Sequence, residues 1–140
     1  MVIAIGLLIS LIFLILSGIH FYWALGGKWG FDQALSEKET GEKLFIPRKI
    51  DSAAVGTGLL LFALFYLIKT GILPINLPNW SLLYGGWIIS AIFLLRAIGE
   101  FKYVGFFKKV KETNFGRMDS KFYSPLCFLI GSLGVILELI

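Results

Sequence analysis

Apolar residues come in four long runs, with the polar residues gathered between them. The first run extends from Val2 to Leu25 and is broken before Leu16 only by the small residues Gly6 and Ser10. Ala53 to Ile68 forms the second. The third begins at Ser81, stays largely apolar to Leu95, and continues as Arg96-Ala-Ile-Gly-Glu-Phe-Lys-Tyr-Val-Gly-Phe-Phe. The fourth covers Leu126 to Ile140 and is lengthened at its start by Phe122 and Tyr123. None alternates with the period of two that a half-buried strand requires, and a membrane β-barrel needs at least about eight strands. A helix rises about 1.5 Å per residue, so about 20 apolar residues cross a hydrocarbon layer of about 30 Å. The pattern therefore predicts an all-α fold: one four-transmembrane-helix bundle over residues 1–140, with helices at about 2–25, 52–70, 81–107 and 123–140. The first run reads as a span and not as a signal peptide, because no cation precedes it and it is too long.

Local signals place the helix ends. Gly26-Gly27 stops the first helix. Asp51 or Ser52 can cap the second, and Lys69, Gly71, Pro74 and Pro78 end it. Ser124 followed by Pro125 reads as the start of the fourth. Ala54 with Gly58, and Cys127 with Gly131, set small residues on one helix face, which suits close helix packing.

Composition points to the same solvent. Hydrophobic residues make up 57% of the 140 and charged residues 16%, against about 25% charge in a soluble domain. The net charge of +4 sits between the apolar runs, and no nucleic-acid-binding motif is present. One cysteine, Cys127, and one histidine, His20, allow no internal disulfide and make a poor metal set. No metal, cofactor or nucleic-acid partner is expected.

The cations also give an orientation. Lys28, Lys38, Lys43, Arg48 and Lys49 lie in loop 26–50; Lys102, Lys108, Lys109, Lys111, Arg117 and Lys121 lie in loop 102–122. Two spans separate these loops, so they share a face, which the positive-inside rule makes cytoplasmic. Both termini and the Pro-rich loop 72–80 are then expected on the outer side. Tyr22, Trp23 and Trp29 at one end, and Trp80 and Tyr84 at the other, fit interfacial belts.

Three segments carry a family resemblance: His20-Phe-Tyr-Trp-Ala-Leu-Gly-Gly; Arg96 through Lys108; and Thr113-Asn-Phe-Gly-Arg-Met-Asp-Ser followed by Tyr123-Ser-Pro-Leu-Cys. Together they resemble the bacterial membrane proteins of domain-of-unknown-function family 3995. The resemblance spans nearly the whole chain. It implies four membrane helices in a bacterial inner membrane, and it implies no activity.

Candidate chemistry gathers at the cytoplasmic end. His20 and Arg96 fall at a similar depth, and Asp119 and Tyr123 arrive beside them. Arg96 and Glu100, four apart, are expected on one helix face. Ionisable groups in a span normally face the bundle interior and pair there. One reading makes Arg96, with Trp23, Tyr123 and Asp119, a site for a phosphate or carboxylate head group, with His20 and Glu100 as catalytic proton carriers. A second makes Arg96 a structural lock on Glu100 or Asp119, and a third lets it reach the interface. Lys108, Lys109 and Lys111 read as a solvated or lipid-facing run that can touch anionic lipid. Three functions stay open: a structural or accessory membrane protein, a small membrane enzyme acting on a lipid or isoprenoid-like molecule, and a binder or transporter of a small amphiphile. The expected partners are membrane lipid and either a second copy of the chain or another membrane protein.

Overall fold

A computed structural model describes all 140 residues. It contains four helices long and apolar enough to cross a membrane and no β-sheet. α1 (Val2–Ala24) and α2 (Lys49–Lys69) form one antiparallel hairpin. Two serines stitch it, Ser10 Oγ donating to the Ala63 carbonyl at 3.0 Å and Ser17 Oγ to the Gly56 carbonyl at 2.7 Å. Buried hydroxyls that bond across a helix pair are a common way to join helices in lipid, each worth about 0.6 kcal/mol.

α3 (Asn79–Ile98) pairs with the last helical run, made of α4 (Asn114–Met118), a π segment (Asp119–Tyr123) and α5 (Ser124–Leu139). Here glycines allow the close approach. A methyl group on Gly131 would strike Leu94, one on Gly134 would strike Ser90, and one on Gly86 would strike Glu138. The two hairpins meet around Phe13, whose ring lies 5.2 Å from Phe93, 5.6 Å from Phe62 and 6.1 Å from Tyr66. Outside this core the helices present Leu7, Leu11, Leu14, Leu61, Ile88, Ile92 and Leu129 outward. Exposed leucine and isoleucine around buried serine is the distribution lipid favours.

Gly6 of α1 packs on Thr70 after α2, and Lys69 pairs with Glu138 near the end of α5. Both termini therefore share one end of the bundle with loop 70–78. We call this the terminal end, and the opposite one, with its two cation-rich loops, the basic end.

Three details differ from the sequence expectation. α3 stops at Ile98 and does not reach Phe107. Gly99 takes φ +83°, and a Cβ there would collide with the Val104 carbonyl, so the chain folds back on the helix end. Phe106 N–H then donates to the Ala97 carbonyl at 2.7 Å. The last helical run starts earlier than expected, at Asn114, where the Thr113 side chain accepts from Gly116 N–H at 2.9 Å. Ser124 is thus internal to that run and caps nothing; the wider π turn before it accommodates Pro125, which has no N–H to offer. Finally, α2 packs through Gly56, set against the Phe21 ring, while Gly58 faces open space and Ala54 is exposed.

A membrane cavity at the basic end

Asp119 organises the basic end. It opens the π segment and is fully buried. Oδ1 accepts from Arg96 Nη2 at 2.8 Å. Oδ2 accepts from Gly105 N–H at 2.7 Å and from the Ser124 hydroxyl at 3.0 Å, and lies 3.1 Å from Lys108 Nζ. Lys108, also fully buried, donates as well to the Gly105 carbonyl at 3.0 Å and to the Ser120 hydroxyl. Every oxygen of Asp119 and the ammonium of Lys108 thus have close polar partners. Arg96 does not share this saturation. It sits in the last turn of α3, where the helix dipole favours a cation, and its buried Nη1 has no hydrogen-bond partner.

Arg96 is also the member of this cluster that lines a cavity of about 900 Å³. Leu59 and Phe93 stand at its deep end, against the aromatic core. His20 and Trp23 of α1, Val55 of α2, and Tyr123 and Cys127 of the last helical run form walls. Loop residues Phe31, Ala34, Leu35 and Phe45 line its loop side, and the cavity stays partly open. Two ties hold this loop in place. Trp23 Nε1 donates to the Trp29 carbonyl at 2.7 Å. Buried Glu37 accepts from Phe115 N–H at 3.1 Å, at the start of α4, and lies 3.4 Å from Lys43. The other charged group on the cavity wall is Asp51, which accepts from Arg48 N–H at 2.8 Å and lies 3.5 Å from Arg48 Nε.

Of the residues singled out in the sequence, His20, Trp23, Arg96 and Tyr123 face one cavity, and Asp119 stands behind Arg96. The His20 ring bonds through Nδ1 to the Leu16 carbonyl at 2.7 Å, which places the proton on Nδ1 and leaves Nε2 unengaged by that bond. Glu100 is not brought to the cavity. With α3 ended at Ile98, it leaves the helical face of Arg96, and its exposed carboxylate accepts from the backbone N–H groups of Lys102, Tyr103 and Val104. Arg96 pairs with Asp119 and not with Glu100. No group of three or more His, Cys, Asp or Glu side chains could hold a metal.

Lys108 is a correction. The sequence placed it in a solvated run with Lys109 and Lys111; those two are exposed, but Lys108 is buried on Asp119. Arg96 and Lys108, at the two ends of the second shared segment, both reach the same carboxylate of the third. A second ionic site also escaped the sequence reading. Lys69, a helix-end signal in the sequence, and Glu138 lie 3.1 Å apart and largely buried at the terminal end, where Lys69 also donates to the Leu82 carbonyl at 2.7 Å.

No curated protein and no solved structure matches the chain. A family model described as a protein of unknown function (DUF3995) matches residues 13–134. That stretch enters in the first span and leaves in the last and contains the three segments that converge on the cavity, and on it the chain belongs to the DUF3995 family.

Proposed function

We propose that this multi-pass membrane protein binds one small amphiphilic molecule in the basic-end cavity. The observation that carries the reading is the cavity itself: its volume lies in the range of small-molecule sites, about 300–1,000 Å³, and its mostly apolar wall carries few polar groups. A purely structural role for Arg96 would need packed walls around a closed ion pair. Here the pair exists, yet the space beside it is open. An enzyme using Glu100 as a proton carrier loses support, since that side chain is engaged with backbone outside the cavity. The cation distribution favours placing loops 26–50 and 102–122 in the cytoplasm, with the protein in a bacterial inner membrane. The ligand would then be taken from, or delivered to, the cytoplasmic leaflet.

Native mass spectrometry of the protein released from nanodiscs tests this. The wild type is expected to retain one lipid-like adduct per chain. Ala34→Trp, which fills the cavity from the loop side, is expected to lose it while melting at a similar temperature. Equal adduct occupancy in both proteins, or no adduct and no stabilisation by any added amphiphile, refutes the proposal.

A further inference from the structure

The charges around the cavity define which head group it accepts. Arg96, Lys108 and Asp119 form one contiguous cluster, two cations on a single carboxylate. The remaining charged wall residue, Asp51, is paired with Arg48 and adds no net charge. One positive charge is therefore left over on a cluster whose Asp119 and Lys108 are fully buried and whose Arg96 is partly exposed, and a charge held partly away from water is unfavourable without a counter-charge. The unmet hydrogen bonding falls on the same group. Asp119 and Lys108 are fully engaged, whereas Arg96 keeps a buried Nη1 without a partner and lines the cavity.

On the basis of the amphiphile-binding reading above, we infer that the ligand carries a single negative charge on an oxyacid head, a carboxylate or a phosphodiester, seated on Arg96. A planar guanidinium presents its N–H donors in a fork that suits two oxygens of such a head. One negative charge neutralises the cluster. A second would be uncompensated beside Asp119 and Asp51. The apolar chain then extends between His20 and Trp23 on one side and Phe93 on the other, toward Leu59.

Chain-matched probes in detergent solution test the head group, by displacement of a fluorescent fatty-chain reporter from the wild-type protein. The alkyl carboxylate or the alkyl phosphodiester is expected to bind at least about tenfold tighter than the alkyl alcohol, the step a charge-assisted hydrogen bond supplies. Preference for one of the two anions names the source, a free fatty acid or a phospholipid. Inorganic phosphate, which lacks the chain, is expected to compete far more weakly. Lys108→Met gives the sharper reading. This side chain does not line the cavity, but removing its charge leaves Arg96 and Asp119 balanced, so the preference for the anion over the alcohol should fall while alcohol binding persists. Equal affinity for alcohol and anions, tighter binding of the alkyl ammonium, or inorganic phosphate competing as well as the chained anions overturns the head-group inference and leaves the cavity reading standing. If none of the chained probes displaces the reporter, both fail.

Discussion

Lys69 meets Glu138 one to one at the terminal end, and the backbone carbonyl of Leu82 takes up a further donor of the lysine. At the basic end Asp119 faces two cations, and four donors converge on its two oxygens. Both arrangements place charge where water is scarce, so both must be internally compensated. The surroundings differ in kind. The terminal pair is packed between helices, against Gly86 of α3, with the Ser90 and Tyr66 hydroxyls both close to Gly134, although neither Glu138 Oε1 nor Ser90 Oγ makes a hydrogen bond of good geometry. The basic cluster has a cavity on one side and a cation in excess. A balanced pair with packed walls ties two hairpins together. An unbalanced cluster beside open space is arranged to receive something.

The largest effect is expected at Asp119. Asp119→Ala leaves Arg96 and Lys108 without their shared counter-charge, and breaking a buried ionic contact in this way costs about 3–5 kcal/mol. Thermal melting in detergent should show a collapse of folded yield or a large drop in melting temperature. Glu138→Gln is expected to cost less, about 1–3 kcal/mol, because Lys69 keeps the Leu82 carbonyl and the amide still offers an oxygen. The balanced pair should also be replaceable as a unit. The double variant Lys69→Met with Glu138→Leu is expected to recover most of the single-variant loss, since a buried pair exchanged for apolar groups is often neutral or stabilising. No such recovery would mean that the terminal pair has a role beyond joining the hairpins.

Next in size is the contrast between two cations of the basic end. Arg96→Leu is expected to lower the melting temperature by an amount corresponding to about 1–3 kcal/mol, because Asp119 loses one charged partner but keeps Lys108, Gly105 and Ser124. Exposed Lys109→Leu should stay within about 0.5 kcal/mol. Equal melting of the two variants would show that Arg96 has no buried partner.

What the sequence revealed, and what it hid, follows from the range of each interaction. The spans were legible because lipid imposes a long apolar run on every helix that crosses it. The meeting of His20, Trp23, Arg96 and Tyr123 was legible from depth along those spans. The end of α3 was not, because aromatic and aliphatic residues continue past Gly99 to Phe107, interrupted only by Glu100, Lys102 and Gly105, and only the fold-back against Val104 and Gly105 requires the positive φ. Lys108 was hidden for the same reason: a cation among cations reads as solvated until the loop closes and puts Asp119 against it. Lys69 and Glu138 lie 69 positions apart, one near the end of α2 and the other near the end of the chain, and only the docking of the two hairpins joins them.

The smallest effect concerns Glu100, and it bears directly on the contrast between the two ends. A continuous helix would carry Glu100 onto the face of Arg96 and make the basic cluster two cations against two carboxylates, as balanced as the terminal pair. The turn at Gly99 removes it from that face and gives its carboxylate to the backbone N–H groups of the following loop. Glu100→Gln keeps an oxygen able to accept those bonds, and the side chain is exposed. Its melting temperature should match the wild type within about 0.5 kcal/mol, and its preference among chained anions, alcohols and ammonium ions should be unchanged. A variant that melts several degrees lower, or that binds anions more tightly than the wild type, would place Glu100 beside Arg96 after all. The excess positive charge at the basic end would then vanish, and with it the physical distinction between the two ends of the bundle.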